Sequence, residues 1–224
     1  MLTRHRIGAR IDRHRQVDST NTAAFDAAAA GAPDGTVVVA DAQRAGRGRL
    51  GRVWASPAGR NLYCSILLRP PLTAVTVAAL PFLAAVAARD AIQAATGLTV
   101  KTKWPNDLII HNRKVGGILV ETRRAGAQTA LAVVGIGINV NWPRRSMPAP
   151  LQPIATSVQA ELGQPVSRSR LLTALLTRFN QDYDRLRRDG AAPLMKRWSR
   201  SSLTLRQLVD VKRRAVGGAN AVRH

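Results

Sequence analysis

Cysteine is almost absent from this 224-residue chain, and the single Cys64 excludes both an internal disulfide framework and a cysteine-based zinc site. Cys64 lies in the apolar run "NLYCSILL", where a small buried residue is expected rather than a nucleophile. Histidine occurs four times, as His5, His14, His111 and His224, and no two of these stand at a metal-ligand spacing. No serine sits in a nucleophile-elbow motif, so nothing points to a Ser-His-Asp hydrolase. Acidic residues are scarce, 13 Asp+Glu against 34 Lys+Arg, which gives a formal net charge of +21. Such an excess draws nucleic acid, acidic proteins or phosphorylated small molecules. Because most of it is arginine in an alanine-rich chain, codon composition explains part of it equally well.

A long membrane-spanning run is also missing. The best candidate, residues 72–88, is dominated by alanine, contains Pro81 and falls short of the roughly 20 apolar residues a bilayer requires. The start "MLTRHRIGAR" is basic but has no apolar core of a secretory signal. A buried helix in a cytoplasmic protein is the expectation.

What is present is an irregular alternation of helical and strand patterns without internal repeats. After a basic leader, "DSTNTAAFDAAAAGAPDG" predicts a helix with capping candidates Asp18, Ser19 and Thr20, stopped by Gly31 and Pro33. "TVVVA" from Thr36 and "NLYCSILL" predict buried strands. "DLII" and "GILVE", separated by "HNRK", predict a hairpin with Asn112 in its turn. "TALAVVGIGINVN" predicts a further strand, with Gly135 and Gly137 where the backbone passes close to something. Leu171, Leu172, Leu175, Leu176, Phe179, Tyr183 and Leu186 repeat at helical spacing up to Gly190. This order predicts an α+β fold rather than repeated βαβ units.

Three segments carry candidate chemistry. In "AGRGRLGRVW", Ala45 to Trp54, glycines too dense for a stable helix or strand space Arg47, Arg49 and Arg52, whose planar forks grip carboxylate or phosphate oxygens in pairs. It is not a Walker A loop, since no G-K-[ST] follows. Taken alone it reads equally as a nucleic-acid-binding or solvated loop. In "KWPND…RKVGGILVE" the predicted hairpin brings Asn106 and Asp107 close to Lys114, Gly116 and Gly117. That gives carbonyl and carboxylate oxygens of the kind Mg²⁺ prefers beside an ammonium and small residues, a set suited to nucleoside triphosphate chemistry. The alternative is a polar hairpin rim with Trp104 in the core. In "GIGINVN", Asn139 is placed either to bond an adenine edge or to cap a turn.

With "STN" at Ser19 to Asn21 and "QRAGRGRLGRVWASPAGRNLYCS" from Gln43, these blocks stand in the order found in biotin-protein ligases, whose catalytic domain the sequence resembles over roughly residues 10–200. The resemblance implies a class II aminoacyl-tRNA synthetase/biotin synthetase-like, mainly antiparallel sheet with flanking helices. It implies that the biotin carboxylate attacks the α-phosphate of ATP to give biotinyl-5′-adenylate. A lysine of a biotin carboxyl carrier domain then attacks that mixed anhydride. On this resemblance Ser19, Thr20 and Gln43 bind the biotin ureido ring, Asn21 belongs to the same biotin site, and Gly46 and Arg47 meet its carboxylate end. Arg49 and Arg52 hold phosphate, Trp54 packs near the adenine and Asn139 bonds it. Lys114 bridges the carboxylate and the α-phosphate, Gly117 and Ile118 line the pocket, and Asn106 and Asp107 sit near Mg²⁺.

Two departures stand out. Arg44 follows Gln43 where relatives usually carry Thr or Ser, and is expected to point outward. After "SLT" the family continues into a small SH3-like domain, whereas residues 201–224 break that pattern and are expected to be a frayed or loosely docked remnant beside a catalytic domain spanning 1–200. The family's regulatory branch carries an N-terminal helix-turn-helix; only a short basic leader stands here, so DNA binding is not expected. A lipoate-protein ligase is the nearest enzyme alternative and a basic nucleic-acid-binding protein the non-enzymatic one. No exposed apolar stripe decides between monomer and homodimer.

Overall fold

The computed structural model describes residues 7–69, 74–124 and 130–205. Seven strands form one sheet: β1 (Ile11–Val17), β2 (Val37–Gln43), β3 (Leu62–Leu68), β4 (Lys101–Lys103), β5 (Asp107–Ile110), β6 (Arg113–Arg124) and β7 (Ala130–Ile138). Their spatial order is β1-β2-β3-β7-β6-β5-β4. Only β1 and β2 run parallel; every other neighbouring pair is antiparallel. The α+β expectation holds.

The basic leader contains a strand that the sequence did not announce. β1 is an edge strand whose Arg13, His14 and Arg15 are exposed, so no apolar alternation marked it. The predicted hairpin turn is His111-Asn112, both with positive φ (44° and 63°), the backbone that suits the right-handed twist of two strands joined by two residues.

Helices cover both faces. α1 (Thr20–Ala29) lies on one side, where Phe25, Ala24 and Ala28 pack against Val38, Leu67 and Val133. α2 (Ala74–Thr96) and α4 (Arg168–Asp189) form the other layer, with α3 (Val158–Leu162) and α5 (Ala192–Ser201) at its ends. α2 is long and apolar enough to cross a membrane by composition, yet Leu80, Leu83, Val86 and Ile92 are fully buried against α4 and the sheet. It continues eight residues beyond the predicted end at Ala88, to Thr96. All seven apolar positions read along α4 are buried, and Cys64 is fully buried in the same core, as expected.

α5 is fastened by charge. Arg197 bonds Asp182 on α4 and, at 2.6 Å, Asp90 on α2, while Arg89 reaches Ser201. Beyond α5, Ser202 forms a bridge to Thr102 on β4 and Thr204 Oγ1 accepts from the Trp104 amide. These contacts tie the tail to β4 and Trp104 as far as Thr204, and residues 206–224 lie outside the described residues.

Candidate functional site

Alternation along β7 sends Val134, Ile136 and Ile138 into the large core and leaves Gly135 and Gly137 on the α1 face. Gly117 on β6 pairs directly with Gly137, so three glycines clear one patch of the central sheet. Something occupies each clearing. A Cβ on Gly137 would stand 2.8 Å from the Trp54 indole, and one on Gly117 3.1 Å from it. A Cβ on Gly135 would stand 2.3 Å from Asn21 Oδ1. Trp54 thus lies flat on the sheet, its buried Nε1 without a hydrogen-bond partner.

The arginine-glycine segment is not the open loop its glycine content suggested. Arg47 and Val53 form an antiparallel bridge, Gly48 N donates to Arg52 O at 2.7 Å and Trp54 N to Gly46 O at 2.9 Å. The tip turns through Leu50 and Gly51, both left-handed (φ 57° and 71°). Gly46, Gly48 and Gly51 stand at a G-x-G-x-x-G spacing, but a hairpin offers no helix N-terminus to a pyrophosphate. Leu50 and Val53 are 74% and 86% exposed, so the hairpin presents apolar side chains that nothing covers among the described residues.

Beneath it runs a polar chain built by the start of α1. Gln43 Oε1 accepts from the Thr20 amide at 2.9 Å, and Gln43 Nε2 donates to Ser56 Oγ at 2.8 Å. Ser65 Oγ reaches Thr20 Oγ1 at 2.8 Å and Asn21 Oδ1 at 2.6 Å. Asn21 Nδ2 donates to Leu119 O and to Glu121 Oε2, at 3.2 and 2.7 Å. Glu121 also pairs with Arg47 at 3.0 Å, and Arg47 Nη1 donates to Thr22 Oγ1 at 2.8 Å. Ser19 is the buried N-cap residue, without a side-chain capping bond.

The hairpin β5–β6 does what its spacing predicted. Asp107 pairs with Gly117, and a bulge between Leu108 and Ile109 shifts the register so that Ile109 opposes Lys114. The extra residue turns the Lys114 side chain to the face of Gly117, with Nζ 3.4 Å from where a Gly117 Cβ would be. Lys114 Nζ lies 2.5 Å from Asp107 Oδ1 and 5.2 Å from the Trp54 ring centre. That contact is an ion pair that engages Asp107 Oδ1. Asn106 Nδ2 donates to Ile118 O at 2.8 Å, which leaves its Oδ1 for another partner.

A cavity of about 600 Å³ opens beside this floor. Arg47, Arg49 and Glu121 line one side, Trp104 and Asn106 another, and Ile118 the base. Trp104 is half exposed at the cavity wall, not in the core. Asn139 is buried away from the lining; its Nδ2 donates to Thr156 O at 2.9 Å and its Oδ1 accepts from Asn61 at 3.4 Å. In this arrangement it ties the 156–158 segment to the sheet. Arg44 points outward and pairs with the exposed Asp18, as expected. No group of three or more His, Cys, Asp or Glu gathers among the described residues.

The sequence profile of the biotin/lipoate A/B protein ligase family matches residues 14–139 of this chain, more than half of it. The chain belongs to that family. It is 37% identical over 187 residues to "Bifunctional ligase/repressor BirA" of Bacillus spizizenii, covering 84% of this chain and 58% of that one. It is 37% identical over 186 residues to "Biotin--[acetyl-CoA-carboxylase] ligase" of Paracoccus denitrificans, covering 82% and 77%. Among solved structures, the biotin protein ligase of Aquifex aeolicus in complex with biotin and ATP superposes with a TM-score of 0.76 at 29% identity, over 87% of this chain and 79% of that one. The chain spans about three fifths of the length of the Bacillus relative. Within this ligase fold the site gains residues that sequence reading missed. Ser56, Ser65 and Glu121 complete the polar chain, and Phe82 on α2 and Trp104 wall the cavity. Glu121 was within reach of inspection, being the one acidic residue at the end of "GGILVE".

Proposed function

We propose that this chain activates biotin with ATP to biotinyl-5′-adenylate and passes the biotinyl group to a lysine of a biotin carboxyl carrier domain. The observations that carry the reading are the Lys114–Asp107 pair on the floor that Gly117 clears under Trp54, and Arg47 and Arg49 on the wall of a cavity that Asn106 and Ile118 of the same hairpin also line. The names of the relatives and of the structural neighbours support it.

The chemistry asks little beyond charge. A carboxylate is already a nucleophile, so attack on the α-phosphate needs no general base. It needs two anions held together while five oxygens crowd one phosphorus, and cations fixed in advance lower that barrier most. In this reading Lys114 bridges the two reactants, and its ammonium over the cleared position of Gly117 supports that role. Arg47 and Arg49, on the cavity wall, and Arg52, beside the hairpin tip, supply the remaining positive charge. Thr20, Gln43, Ser56 and Ser65 offer the polar groups that a ureido ring would engage. Closure of the exposed hairpin over the site would then keep water from the anhydride.

For magnesium the donors suit an ion that arrives with ATP. Asp107 offers one carboxylate, whose Oδ1 is paired with Lys114, and Asn106 keeps an amide oxygen, while phosphates would complete the shell. When bound there, Mg²⁺ supplies charge neutralisation to the triphosphate. Residues 1–200 carry the adenylation chemistry in this reading, and the consumption of ATP makes a cytoplasmic setting part of the same proposal.

The test is incubation with biotin, MgATP and a carrier domain, followed by intact mass of the carrier. A biotinyl increment is expected. An increment with lipoate alone would transfer the assignment to the lipoate branch, and no increment with either acid would refute it.

A further inference from the structure

The best-placed residue without a role so far is Glu121. Its carboxylate lines the cavity and holds two partners of opposite character. Asn21 is fixed: buried, wedged against Gly135 and bonded to Ser65, Leu119 O and Glu121 Oε2. Arg47 stands on the exposed hairpin, and its contact to Glu121, with side chains 41% and 33% exposed, is open to water. Asn21 thus anchors Glu121, and Glu121 in turn holds the hairpin's arginine over the cavity.

We propose that Glu121 is a resident counter-ion that holds Arg47 at the cavity wall and yields it to the carboxylate of an incoming acid. Three features favour exchange over a permanent clamp. The pair is solvent-exposed, and such ion pairs contribute little and break readily. Glu121 keeps the Asn21 amide when Arg47 leaves, so its charge is not stranded. Arg47 keeps Thr22 Oγ1 through its other terminal nitrogen, so the guanidinium pivots rather than lets go. The acid exchanges one carboxylate for another on a fork already aimed, which limits the ordering cost of binding. Glu121 is a positioning residue in this scheme, and the nature of the acid rests on the proposed function above.

The experiment is a cycle of binding constants measured by calorimetry on the whole chain. Biotin and lipoate are each compared with the corresponding uncharged alcohol. The proteins are wild type, Glu121→Gln, Arg47→Met and the double variant. Glu121→Gln preserves an acceptor for Asn21 while removing the competing charge. It is expected to tighten the acid about 2- to 5-fold, the scale of one exposed ion pair, and to leave the alcohol unchanged. In the Arg47→Met background the same substitution is expected to change neither. Equal shifts for acid and alcohol would overturn the proposal, because Glu121 would then only shape the cavity. Persistence of the shift without Arg47, or weaker acid binding in Glu121→Gln, would overturn it as well. The expected pattern with lipoate rather than biotin would support the exchange while refuting the substrate reading. Absence of binding by both acids would refute both.

Discussion

Gly135→Ala is the sharpest probe of how the sheet makes room for the site. The new methyl would stand 2.3 Å from Asn21 Oδ1 and 3.0 Å from its Cγ, well inside contact distance. Asn21 has no slack, since Ser65, Leu119 O and Glu121 hold both ends of its amide and the residue is 3% exposed in the first turn of α1. Either the amide swings away and gives up its buried bonds to Ser65, Leu119 O and Glu121, at about 1–3 kcal/mol, or α1 lifts from the sheet, at a similar overpacking cost of about 1–3 kcal/mol. The expected loss is therefore about 1–3 kcal/mol, read from urea denaturation as a lower midpoint at unchanged slope. Asn21→Ala removes the obstacle along with its hydrogen bonds and should itself cost about 1–3 kcal/mol. If the conflict is local, the double variant is no less stable than Asn21→Ala alone, and the cycle shows a coupling as large as the Gly135→Ala loss, about 1 kcal/mol or more. A loss below about 0.5 kcal/mol for Gly135→Ala, the scale of a neutral substitution, or strict additivity with Asn21→Ala, would refute the argument.

Four further outcomes follow from the same geometry. Lys114→Ala is expected to abolish biotin-dependent pyrophosphate exchange while shifting stability by less than about 1 kcal/mol, because its pair with Asp107 is partly exposed. Arg47→Ala is expected to let the adenylate escape, seen as free biotinyl-AMP or its hydrolysis outpacing carrier labelling. Arg197→Met leaves Asp182, 3% exposed, with only the partly exposed Arg185, and is expected to cost about 2 kcal/mol or more in thermal unfolding. Burial opposes ionisation of Glu161, but hydrogen bonds from Thr156 and His111 and the charges of His111 and Arg113 prevail and hold its carboxyl below the ordinary value. A lowered folded pKa stabilises above the unfolded value and loses that contribution as pH falls through the folded one. Thr156→Val is therefore expected to flatten the acid limb of stability against pH.

Much of this site was legible as chemistry before it was legible as shape. The predicted hairpin announced that Asp107 and Lys114 meet, because a turn folds its two strands together, while the bulge that sets their register left no mark in the sequence. The glycines of β7 announced a close approach, since nothing but a neighbour's bulk explains bare positions in a buried strand. The arginine-glycine segment was legible as a cationic loop but not as a hairpin, because composition speaks of backbone freedom and is silent about the cross-chain bonds that close one. β1 was missed because a charged edge strand carries no apolar alternation to read.

The sequence by itself determined the local periodicities: the buried stripe of α4, the β5–β6 turn, the positive charge concentrated between Arg47 and Arg52 and the family that these blocks share. Each rests on neighbours within a few residues, where dihedral preference and side-chain period leave a direct trace. Only the tertiary structure decided that Glu121 meets Asn21, 100 residues away, and Arg47, 74 away, or that Asn139 turns its amide to Thr156 rather than to the cavity. Those contacts depend on strand order, register and the face each side chain takes, which many separate segments fix together through the packing of one core.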